Sequence, residues 1–213
     1  MPVWKAPLSE AMDRRLSRLT DLGERAVCLV LYATLVVRVG AIAPRAPWNL
    51  VILAPEGLVA LFMILRRRPL AVTTRPWDWL VAMAALTLPM LVAPGGTTLV
   101  PPLTGVALVF AGLGLSIWAT LCLGRSFGLA AANRGVVQSG PYRLLRHPIY
   151  AGYLVSDLGF LLMNPTGRNL GLYALALALT LARVSAEEGL LAADPAYVAF
   201  AAKVRHRLVP GLY

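Results

Sequence analysis

The chain has 213 residues, of which 58% are hydrophobic and 14% charged, and its formal charge is +10. Soluble domains carry nearer a quarter charged residues, so this composition, with a mean hydropathy of +0.69, excludes an ordinary water-soluble globule. The basic residues stand beside apolar runs, which is the placement that membrane orientation produces, and nucleic acid is therefore not expected as a partner.

In chain order, residues 1–25 are expected to form an interfacial amphipathic helix. Leu8, Met12, Leu16, Leu19 and Leu22 recur at helical spacing, while Arg14, Arg15 and Arg18 take other faces. The N-terminus lacks the order of basic segment, short apolar core and small-residue cleavage site. The first apolar run is therefore expected to be retained rather than cleaved as a signal. Six apolar stretches follow, near 26–43, 49–65, 78–93, 99–123, 149–163 and 169–186, each close to the roughly 20 residues a bilayer core demands. Pro44 and Pro47, then Pro94-Gly95-Gly96, then Asn164-Pro165-Thr166-Gly167 punctuate them as turns.

Positive charge picks a side. Lys5, Arg14, Arg15, Arg18 and Arg25 precede the first stretch, and Arg66, Arg67, Arg68 and Arg75 separate the second from the third. Arg125, Arg134, Arg143 and Arg146 precede the fifth, and Lys203, Arg205 and Arg207 follow the sixth. The opposite connections hold only Arg45 and Arg168, so the basic side is cytoplasmic. The fold expected is all-α: a polytopic integral membrane protein with about six transmembrane helices, both termini cytoplasmic, and amphipathic N- and C-terminal helices. The C-terminal one opens on Asp194-Pro195, a cap and first-turn pair, with Tyr197, Phe200, Val204 and Leu208 on one stripe. Residues 1–25, 26–123 and 124–213 then form the interfacial helix, spans one to four and the functional region.

Ionisable groups inside spans need a reason. Arg38 and Glu56 sit at matching depth in the first hairpin and are expected to form a structural ion pair. Asp157 shares a face with Tyr150 and Tyr153 and is expected to make a structural hydrogen bond or line a pocket. Cys28 and Cys122 lie in apolar runs as small hydrophobes, and no metal-ligand spacing is present. The dense polar cluster is elsewhere. Arg146 and His147 stand before Pro148 at the start of the fifth stretch, and Glu187-Glu188 end the sixth. The short 164–168 connection makes these ends neighbours. A carboxylate pair at a helix C-terminus opposes the helix dipole, so it calls for a ligand or a cationic partner.

The run Gly-Val-Val-Gln-Ser-Gly-Pro-Tyr-Arg-Leu-Leu-Arg-His-Pro-Ile-Tyr-Ala-Gly at 135–152 resembles the signature of integral-membrane methyltransferases, a group including isoprenylcysteine carboxyl and phospholipid N-methyltransferases. The resemblance continues through Arg183-x-x-x-Glu187-Glu188, Tyr197-x-x-Phe200 and Val204-x-x-Arg207-Leu208-Val209-Pro210, with Phe200 where such proteins often carry tyrosine. It implies S-adenosylmethionine as cofactor, bound at the cytoplasmic face without a Rossmann domain. Gly112-x-Gly114 lies inside an apolar run and is no nucleotide loop. By the same resemblance Tyr142, His147, Tyr150 and Gly152 line the donor site, with Glu187 and Glu188 at the donor's ammonium or ribose. Arg207, or Arg143 and Arg146, would hold an anionic acceptor, and one of the two glutamates would serve as base if the acceptor needs one. The partners implied are membrane lipids and a lipophilic or amphiphilic acceptor. Isoprenylcysteine-like O-methylation is favoured over phospholipid N-methylation or small-thiol S-methylation. A transporter, supported only by Arg38, Glu56 and Asp157, and a non-enzymatic scaffold are the competing classes.

Overall fold

The computed structural model describes residues 10–42, 44, 53–65, 71–73, 75–126, 128 and 132–211. The chain divides into two compact units, Met1–Leu65 and Arg66–Tyr213.

The first unit is a helical hairpin of α1 (Glu10–Ile42) and α2 (Leu53–Leu65). No proline interrupts α1, so the expected interfacial helix and first span run on as one 33-residue helix. Arg25 donates to Asp21 at 2.9 Å and to the Ile64 carbonyl at 2.8 Å, which supplies a partner to the open end of α2. The side chains of Arg14, Arg15, Arg18, Arg38 and Glu56 lie outside the described residues, and with them the expected amphipathic face and ion pair.

The second unit holds α3 (Pro76–Thr87), α4 (Pro102–Leu123), α5 (Pro148–Met163), α6 (Gly167–Leu191) and α7 (Pro195–Lys203). A minimal antiparallel pair, β1 (Ala71–Val72) with β2 (Ala132–Asn133), joins two of its loops. Among the described residues the protein is thus all-α apart from four strand residues, but the expectation of six spans is overturned. Among the described residues two helices are long and apolar enough to cross a membrane, Pro102–Ser126 and Gly167–Leu191. At about 1.5 Å per residue, the 13 residues of α2 reach only about 20 Å of a core roughly 30 Å thick. The 12-residue α3 ends in a 3₁₀ turn at Leu88–Leu91, where Pro89 has no N–H to continue the α ladder. The apolar α5 has 16 residues and also falls short. The even-span argument for two cytoplasmic termini goes with the count.

Helices α4 and α5 approach through small residues on both sides. A Cβ added at Gly152 would lie 2.6 Å from the Gly112 carbonyl oxygen, and one at Gly159 would lie 2.8 Å from that of Gly105. Ser116 Oγ donates to the Ile149 carbonyl at 3.2 Å and Ser156 Oγ to that of Val109 at 3.1 Å, so hydroxyls stitch the same seam. Helix α6 packs on α3. At one end of α6 the buried Asn169 accepts from Ala93 N at 3.2 Å and donates to the carbonyls of Ala93 and Asn164 at 2.8 Å, fastening the loop after α3.

The C-terminal helix α7 corrects a second expectation. Its cap is as expected, with Asp194 accepting from Ala196 N at 2.9 Å. Its stripe, however, is turned inward: Tyr197, Phe200, Val204 and Leu208 are all buried, and the helix ends at Lys203. That stripe packs into the protein instead of lying on a membrane surface.

Candidate active site

Local sequence rules bring the polar cluster together at one end of α5 and α6. Gly140, at φ +57, starts a single 3₁₀ turn that delivers the buried Tyr142. His147 sits at the N-cap position of α5 with Pro148 as the first helical residue, where the missing N–H costs nothing. Glu187 and Glu188 occupy the last turns of α6, and the turn after Leu191 folds α7 back beside them.

His147 lies between the two carboxylates. Its Nε2 is 3.2 Å from Glu188 Oε1 and its Nδ1 is 3.6 Å from Glu187 Oε2. Glu188 Oε1 also accepts from Tyr197 Oη at 3.2 Å and lies 3.2 Å from Arg146 Nε, while Arg207 Nε donates to Oε2 at 2.8 Å. Glu187 Oε1 accepts from Arg183 Nε at 3.2 Å and from Tyr150 Oη. The Arg183 guanidinium lies 4.9 Å from the centre of the Tyr150 ring, and the His147 imidazole is stacked with that ring at a centroid distance of 5.8 Å. Three guanidiniums therefore face two carboxylates, and the cationic partner that the helix-end acids demanded comes from the protein itself.

Backbone pairing holds Arg207 there. Arg146 N donates to the His206 carbonyl and His147 N to that of Arg207, both at 2.9 Å. Residues 204–208 thus form a strap across the start of α5, anchored by buried Val204 and Leu208. From the other side Asn133 Nδ2 donates to Asp194 Oδ2 at 2.7 Å, tying the β2 loop to the cap of α7.

The expected site residues separate into groups. Arg146, His147, Tyr150, Glu187, Glu188 and Arg207 converge in one network. Tyr142 is buried beside it, and burial first and Glu187 second raise its phenol pKa. Gly152 is packed against α4, and Arg143 is exposed. Arg183 and Tyr197 belong to the network without having been assigned to the site. The four-residue step from Arg183 to Glu187 on one helix was the available signal for the first.

Burial opposes charging of His147, but the hydrogen bonds to Glu187 and Glu188 and their charges outweigh it and raise its pKa above 6.5. Stability from such a histidine is complete below that ordinary value and is lost as pH climbs through the raised one. Melting temperature in detergent is therefore expected to fall as pH rises above 6.5, and His147→Asn to flatten that slope. An unchanged slope in the variant would assign the titration to another group.

Residues 101–194 match the family described as PEMT, phospholipid methyltransferase. That stretch runs from the start of α4 to the cap of α7 and contains Arg146, His147, Tyr150, Arg183, Glu187 and Glu188. No curated protein matches the chain. Among solved structures it is similar to a eukaryotic intramembrane Ras methyltransferase, isoprenylcysteine carboxyl methyltransferase. The identity is 16% and the TM-score 0.47, over 96% of this chain and 88% of that one. The family match alone bears on activity. Through residues 101–194 this chain is distantly matched to the membrane methyltransferases and is an S-adenosylmethionine-dependent methyltransferase.

Proposed function

We propose that the protein transfers a methyl group from S-adenosylmethionine to the carboxylate of an amphiphilic acceptor at the cytoplasmic membrane face, an O-methylation of the isoprenylcysteine type. The residues present suit the donor. Its amino acid part is a zwitterion that needs cationic donors at one end and carboxylate at the other. Arg146, whose Nε pairs with Glu188 Oε1 at 3.2 Å, has further guanidinium N–H groups to offer a carboxylate. Arg207, half-exposed on the strap, pairs with the other oxygen of Glu188 and would share that task. Glu187 and Glu188, oriented by Tyr150, Arg183 and Tyr197, would meet the ammonium or ribose. When bound, the donor supplies an electrophilic methyl group, and the protein's task is to align it with the nucleophile and keep competing water out.

One observation carries the choice of acceptor. Every oxygen of Glu187 and Glu188 already accepts a hydrogen bond or pairs with a cation, which favours the ionised form of both and makes either a weak base. An acceptor that arrives deprotonated needs no base; a carboxylate does so at neutral pH, whereas an amine arrives as the ammonium and must first lose a proton. The membrane setting is supported by the exposed apolar residues of α4, among them Leu103, Phe110 and Trp118, and the cytoplasmic side by exposed Arg143, Lys203 and Arg205 near the cluster. The test offers labelled S-adenosylmethionine with a prenylated N-acetylcysteine, with phosphatidylethanolamine vesicles and with an alkyl thiol. Label is expected in the prenylated carboxylate alone. Label in the phosphatidylethanolamine with an inert carboxylate would overturn the O-methylation reading, and no donor binding by calorimetry would overturn the site.

A further inference from the structure

The charged network is walled by α5, α7 and the strap, but on the side of α3 it abuts a cleft. That cleft is lined by Trp77, Asp78, Val81 and Ala82 of α3 and by Ala182, Arg183 and Ala186 of α6. The spacing on each helix is that of a single stripe, one turn apart, so the two stripes face each other along the α3–α6 contact. Val81 and Ala82 are buried and make the floor, whereas Trp77 and Ala182 are exposed and make the rim. Arg183 belongs to both places: it lines the cleft, and its Nε donates to Glu187 Oε1 while its guanidinium lies over Tyr150.

We propose that this cleft admits the reactive end of the methyl acceptor, with its apolar body left outside against Trp77. The inference rests on the methyltransferase reading and adds the route. Volume selects the occupant. About 20 Å³ has room for a terminal atom or two, about the size of a water, and for no alkyl chain. Chemistry agrees with size, because Asp78, bonded by the Thr73 hydroxyl, and Arg183 give both walls a polar character, while the rim at Trp77 is apolar. A small polar terminus joined to an apolar body fits both parts at once. The space exists because Ala82, Ala182 and Ala186 are small; Ala182 and Trp77 then set which acceptors enter, without touching the donor.

The experiment uses the full chain in lipid nanodiscs, labelled S-adenosylmethionine and the prenylated N-acetylcysteine, with donor affinity measured in parallel by calorimetry. Ala182→Trp fills the rim and is expected to slow label transfer by about tenfold or more. Donor Kd should stay within about twofold of wild type. Trp77→Ala, an exposed position that burdens folding little, should raise the acceptor KM by about fivefold with kcat and donor Kd unchanged. Wild-type rates in both variants overturn the cleft while leaving the methyltransferase reading intact. If Ala182→Trp loses donor binding, Trp77→Ala decides the matter alone. A wild-type protein that binds no donor overturns the methyltransferase reading and the cleft with it, and one that binds donor but leaves the prenylated carboxylate unlabelled overturns the cleft as the route of that acceptor.

Discussion

Glu188→Gln is expected to slow methyl transfer by about 100- to 1,000-fold and to weaken donor binding, measured by single-turnover label transfer and calorimetry. Glutamine keeps the shape and one acceptor oxygen but removes the charge that His147, Arg146 and Arg207 share. Breaking a mostly buried charge network by deleting one partner costs about 3–5 kcal/mol, much of it the penalty of leaving cations without their counter-charge. Glu188→Ala removes the hydrogen-bond acceptor as well and should therefore lower the melting temperature further than Glu188→Gln. Wild-type turnover in Glu188→Gln would reduce the residue to a structural tie between α6 and the strap.

Gly152→Leu is expected to leave no monodisperse folded protein on size-exclusion chromatography. The Gly112 carbonyl, the Ser116 amide and the Ser116 hydroxyl all crowd the space where even a Cβ would go. A leucine would force α4 and α5 apart along a seam that Ser116 and Ser156 also hold, at a cost of about 3 kcal/mol or more. Gly171→Leu is the control: nothing stands within 4 Å of a Cβ there, and the variant should behave as wild type. A folded Gly152→Leu that had lost only donor binding would instead put Gly152 against the ligand, as its motif position suggested.

These two residues show what was legible in the chain. The helix start at His147-Pro148 and the Arg183–Glu187 step obey rules that act within one turn, so their local geometry could be read from residue order. Gly152 sits in the same motif, yet its partner is Gly112 on another helix, and a glycine's spacing does not say whether ligand or backbone comes close. The stripe of α7 was read as apolar, which it is; periodicity reports that a face is hidden, and not whether lipid or protein hides it. The number of spans failed for a related reason. Apolar runs of 13 to 16 residues have the composition of a span without its length, and Pro89 shortened another. The strap could not be foreseen at all, since main-chain hydrogen bonds from residues 146 and 147 to 206 and 207 leave no side-chain signature.

That strap has a consequence for how the protein is made. Arg207 follows Glu188 by 19 residues, so at about 5–20 residues per second it leaves the ribosome about 1–4 s later. Through that interval Glu187 and Glu188 have His147, Arg146, Arg183 and Tyr150, already synthesised, and then Tyr197, to steady them. The charged cluster is therefore assembled in two stages, a scaffold laid down with the membrane helices and a closing piece added after them.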